Sequence, residues 1–170
     1  LTPARRTVDP ISSEGSLPVR RSRPSLSGPM NAIFAALLVA MSAGKDQALH
    51  LYELNPKTGA LVQRAKYDLP GSPGSQCVSP DGNTLYVSVR SANSVAAFRI
   101  DHGKKTLVPL GITEIGANAA YVATDRTGRT LLWASYSGGV VGSHAIGQNG
   151  AVIKNPLSLI ETARCAHAIL

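Results

Sequence analysis

Apolar residues in this chain come in short runs broken by Gly, Asn, Asp and Pro, not at helical spacing: residues 39–43, 84–89, 94–100, 106–112, 130–134 and 140–146 are the clearest. Runs of this length, rich in Val, Leu and Ile and bounded by turn residues, read as β-strands. Ser79-Pro80-Asp81-Gly82-Asn83 has the chemistry of a tight turn between an inner strand at 76–78 and the strand at 84–89. Thr127-Gly128 does the same further on, and 151–160 reads as a last strand interrupted by Pro156.

The runs repeat. Leu49, Val95 and Val141 lie 46 residues apart, as do Tyr52, Phe98 and His144, and Val39, Leu85 and Leu131. A period of roughly 40–50 residues holding four short strands marks the blades of a β-propeller, each blade a sheet that needs neighbours to bury its faces. The first unit carries Ala35 and Ala36 where the others carry the turn, so it is expected to begin at its second strand, the missing inner strand coming from elsewhere in the ring. The expectation is therefore all-β: a partial propeller at 34–170, three repeats of antiparallel four-stranded blades out of about seven, after a Pro/Ser/Arg-rich leader at 1–33. The chain starts at Leu1 and ends in an apolar run at Leu170, and is read as a fragment.

Residues 1–29 lack apolar periodicity and are expected to be disordered. Arg20, Arg21 and Arg23 ahead of the apolar run 32–41 imitate a secretory signal. The repeat register claims the end of that run as a strand, since 85–89 minus one period is 39–43, and the strand reading is preferred. No stretch reaches the roughly 20 apolar residues of a membrane span.

The net charge of +7 divides into +3 before Met30 and +4 after it, scattered, with aromatics at only 5%. That is not the dense basic stripe of a nucleic-acid binder. Cys77 and Cys165 belong to no CxxC pair or metal-spaced cluster; they read as small buried strand residues, in keeping with a reducing cytoplasm. His50, His102 and His144 read as surface or cross-strand residues, and no GxSxG elbow supports a serine hydrolase.

Antiparallel strands alternate their ends, which sorts the loops into two faces. One gathers the Asp-Gly turns. The other gathers two rings of equivalent positions: Gly44, Arg90 and Tyr136, and then Ser75, Tyr121 and His167 at the starts of inner strands. Different side chains at equivalent backbone positions are what a site built on a repeat scaffold leaves behind.

The ordered set from Leu51-Tyr52-Glu53-Leu54-Asn55-Pro56-Lys57-Thr58-Gly59, through Ser79-Pro80-Asp81-Gly82-Asn83 to Arg90, then Ser135-Tyr136-Ser137-Gly138-Gly139 and Ala166-His167-Ala168, resembles the bacterial propeller-type 6-phosphogluconolactonases within the seven-bladed lactonase family. The resemblance implies hydrolysis of 6-phosphogluconolactone in the oxidative pentose phosphate pathway, with no metal or organic cofactor, by a cytoplasmic monomer. By position it implies His167 as catalytic histidine and Arg90 as substrate arginine, with Tyr136 a further substrate contact. Imidazole titrates near neutrality and suits a base that activates water, and the planar guanidinium suits phosphate. Two alternatives stand beside this: a non-enzymatic binding propeller, and a lactonase for another sugar or aromatic lactone. The 170-residue chain alone is expected to be inactive or prone to aggregate, because an unclosed ring exposes strand edges and a blade face.

Overall fold

A computed structural model describes residues 37–169 and consists of three antiparallel sheets. The first is β1 (Leu37–Ala43), β2 (Ala48–Leu54) and β3 (Leu61–Asp68), in that order. The second is β4 (Pro73–Val78), β5 (Thr84–Val89), β6 (Ser94–Asp101) and β7 (Thr106–Glu114). The third is β8 (Tyr121–Thr124), β9 (Thr130–Ser135), β10 (Val140–Ile146) and β11 (Val152–Glu161). The first sheet has three strands because β1 occupies the second-strand position of its unit, as the register requires. The expectations for 1–33 lie outside the described residues.

Cross-strand pairing reproduces the repeat. Val39 faces Tyr52, Leu85 faces Phe98 and Leu131 faces His144, each pair 46 residues beyond the last. The turns that set this register are built from their own side chains. Asp81 accepts from Asn83 N–H at 3.1 Å and from the Ser79 hydroxyl, and Asp125 accepts from Arg129 and Thr130 N–H at 2.9 Å each. Gly82 (φ 74°) and Gly128 (φ 69°) take the left-handed conformation that closes them. Pro109 and Pro156 sit in the outer strands β7 and β11 beside register shifts, where a missing N–H is tolerated.

Side chains alternate along β5, so that Leu85, Val87 and Val89 pack with Leu49 and Leu51 of the first blade, while Tyr86 packs with Val122, Leu131 and Trp133 of the third. Each such buried Leu or Val contributes about 1.5–3 kcal/mol of hydrophobic stabilisation. Hydrogen bonds cross the same seams: Leu107 N–H to the Tyr67 hydroxyl at 2.7 Å, Ser42 hydroxyl to Gly74 C=O at 2.8 Å, and Tyr86 hydroxyl to Gly150 C=O at 3.0 Å. Lys105 and Arg64 both pair with Glu53, which holds its carboxyl below the usual range, Lys105 being the main cause.

One expectation is narrowed and another fails. Of the surface and cross-strand readings of His144 the cross-strand one holds: it faces Leu131, is 1% exposed, lies tilted against Trp133, and its Nδ1–H donates to Ile153 C=O at 2.9 Å. It occupies the inward position of Tyr52 and Phe98, and the register shift between β10 and β11 frees the carbonyl it uses. Cys165 is exposed and lies in a turn after β11 with φ 77°, not in a strand; its N–H donates to Tyr136 C=O at 3.0 Å. Cys77 is in a strand, β4, as expected of it, but half-buried and not fully buried.

Candidate active site

Arg90 is exposed at the end of β5, one residue after the fully buried Val89, because the strand leaves the core there. Its backbone is pinned: its N–H donates to Ser72 C=O at 2.8 Å, and Asn93, left-handed at φ 47°, donates back to Arg90 C=O at 3.2 Å across the 3-10 turn Arg90–Ala92. Tyr136 holds the equivalent place after β9, and Gly138 and Gly139 turn the chain back into β10 through bonds to Ser135. His167 follows the turn at Arg164 and Cys165, and residues 166–169 pair with no strand among the described residues.

These three residues converge. Arg90, Ala120, Tyr136 and His167 line one open cleft of about 460 Å³. The Tyr136 and His167 rings meet edge to face, centroids 5.7 Å apart at 87°. The Cys165 side chain beside it, then partial burial, push the Tyr136 phenol above its ordinary value, so it stands in the cleft as a neutral O–H. Among the described residues the lining carries one permanent cation and no carboxylate, which suits an anionic ligand. The side-chain types can act as a base at His167, a neutral hydrogen-bond donor at Tyr136 and an anion clamp at Arg90.

The other ring positions serve the scaffold. The Ser75 hydroxyl oxygen accepts from Val122 N–H at 3.2 Å, and Tyr121 opens β8 half-buried. His50 bonds Gln63 and stacks near Tyr52, and His102 lies 3.0 Å from Gly82 C=O. Among the described residues no group of three or more His, Cys, Asp or Glu is gathered as a metal site, and no helix is long and apolar enough to cross a membrane. Sequence reasoning passed over Ala120, whose small side chain leaves the cleft open, and Asn118, whose Oδ1 accepts from Arg90 Nε–H at 2.9 Å. The 46-residue register was the signal available for both.

The architecture has counterparts among known proteins. A 6-phosphogluconolactonase of Serratia proteamaculans is 30% identical over 77% of this chain and 39% of its own length, and one of Xenorhabdus nematophila is 31% identical over the same shares. The chain thus spans about two-fifths of the curated relatives it matches. Among solved structures, a candidate 6-phosphogluconolactonase of Bacteroides fragilis superposes at TM-score 0.66 with 25% identity over 75% of this chain and 37% of that one. The periplasmic gluconolactonase PpgL of Pseudomonas aeruginosa superposes at TM-score 0.67 with 21% identity over 76% of this chain and 40% of that one, a likeness of fold. The family model described as lactonase, seven-bladed β-propeller, matches residues 36–163, which takes in Arg90 and Tyr136 and stops four residues short of His167. Blade register, strand order and this match agree: the chain belongs to the seven-bladed β-propeller lactonase family.

Proposed function

We propose that the full-length protein hydrolyses 6-phosphogluconolactone to 6-phosphogluconate, and that residues 34–170 supply three of its blades and one side of its active site. The convergence of Arg90, Tyr136 and His167 on one cleft carries this reading. In it, Arg90 binds the phosphate, and His167 takes a proton from a water as that water attacks the lactone carbonyl carbon. The carbonyl oxygen becomes an oxyanion, which the neutral Tyr136 O–H stabilises. When the intermediate collapses, the bond from the carbonyl carbon to the ring oxygen breaks and the proton held by His167 goes to that oxygen, leaving the open-chain acid. No step calls on a metal or organic cofactor. The substrate is free and small, the protein acts as a monomer, and the unpaired Cys77 and Cys165 fit the cytoplasm.

A substrate panel on the full-length protein tests the assignment. Hydrolysis of 6-phosphogluconolactone with kcat/KM at least about tenfold above that of unphosphorylated gluconolactone is expected, the worth of one charge-assisted contact. Equal rates on both would point to a lactonase for another sugar, and no hydrolysis of either to a binding propeller.

A further inference from the structure

Arg90 is held in a way its register equivalent is not. One period earlier, the loop before β4 touches the loop after β1 through the Ser72 hydroxyl, which donates to Gly44 C=O at 3.1 Å. Asn118 is Ser72 advanced by 46, and Arg90 is Gly44 advanced by 46. At this second seam the side-chain-to-backbone contact has become one between side chains: Asn118 Oδ1 accepts from Arg90 Nε–H at 2.9 Å. The same loop-to-loop contact that ties two blades together has been turned into a support for a cation.

Two further features fit a placed guanidinium. The Arg90 stem lies across Gly74, where an added Cβ would stand 2.6 Å from Cδ and 2.9 Å from Cγ, so the absence of a side chain at 74 makes room for it. Its terminal nitrogens form no hydrogen bond or ion pair among the described residues, while the residue lines the cleft. An amide oxygen that accepts from Nε–H leaves the terminal pair of N–H groups as an end-on fork, the geometry that grips two phosphate oxygens at once. It also leaves the charge unspent, whereas a carboxylate in the same place would neutralise it.

We propose that Asn118 is the positioning residue that holds Arg90 as a phosphate fork and so sets the preference for phosphorylated over unphosphorylated lactones. This rests on the reading of Arg90 as the phosphate ligand. The test compares the full-length protein with N118A, N118D and R90A on 6-phosphogluconolactone and gluconolactone.

Losing a hydrogen bond to a charged group should raise the N118A KM for the phosphorylated lactone about tenfold, with kcat and the gluconolactone constants little changed. N118D is nearly isosteric and keeps a partner for Nε, but its charge competes with phosphate, so it should lose at least as much; it decides the matter if N118A does not fold. If both Asn118 variants keep the wild-type preference while R90A loses it, Asn118 is an ordinary loop residue and the proposal fails with the site reading intact. If R90A also keeps the preference, the phosphate role of Arg90 fails and takes the proposal with it.

Discussion

Single residues mark where the blades are packed to their limit. Gly142 lies under Trp133: an added Cβ would press on Cζ2 and stand 2.5 Å from Cε2 and 2.9 Å from Leu159 Cδ2, with the indole fully buried and unable to yield. Gly142→Ala should cost roughly 1–3 kcal/mol in a urea melt, the range for overpacking a tight core. Burial pushes the Cys77 thiol up to about 12. The folded protein therefore keeps a proton that the unfolded chain releases from about pH 8.5, and stability is full below that pH and falls as pH rises towards 12. Cys77→Ala should flatten the decline just above pH 9 in denaturation midpoints; an unchanged slope would assign the loss elsewhere. Tyr86, also pushed up to about 12 chiefly by burial, adds to the decline only above about pH 10.

At this scale the cleft that forms the candidate site was partly legible. Arg90 and Tyr136 could be read because a repeat makes a loop position comparable with its equivalents. Asn118 was harder to single out, because an amide in an inter-blade loop has no signature beyond the 46-residue register that aligns it with Ser72. His144 was left between surface and cross-strand for a related reason: imidazole is polar by composition, and only its place opposite Leu131 and a carbonyl freed by a register shift make it a core residue.

At the scale of elements, the turns carry the register, and the register carries everything else. Asp125 accepts from the Thr127 hydroxyl and from two backbone N–H groups, and these bonds, Thr127 foremost, hold its carboxyl below its ordinary value. A depressed carboxyl lends its stability above the unfolded pKa of about 3.9 and loses it as pH falls through the folded value. Asp125→Ala should therefore lower the melting temperature at pH 7 and narrow the gap from wild type as the pH drops below about 4. A constant gap across that range would show that the charge contributes nothing to the turn. Asp81, held down chiefly by Ser79, offers the parallel case. These turns were readable because Ser79-Pro80-Asp81-Gly82-Asn83 and Thr127-Gly128 put turn residues between two apolar runs. The turn at Cys165 was not: Glu161, Thr162 and Arg164 mark the end of the strand, but no Gly, Asn or Pro there announces a turn, and Cys165 itself takes the left-handed φ of 77°.

Across the described segment 37–169 the seams between blades are packed, while the outer strand β11 is exposed. Leu157, Leu159 and Ile160 are each more than half exposed on the outermost strand of the third blade. An apolar edge of this kind pairs with whatever presents itself. Segment 37–169 alone should self-associate at micromolar concentration in sedimentation velocity, and Leu159→Lys should reduce it; a stable monomer would contradict this reading of the edge.

The catalytic assignment meets its sharpest check in steady-state kinetics of the full-length protein carrying His167→Ala, with 6-phosphogluconolactone as substrate. If His167 is the base, kcat should fall by at least about 10²-fold, the lower end for a general base, with KM little changed. A kcat equal to wild type would mean that the cleft of Arg90, Tyr136 and His167 is not where the lactone opens.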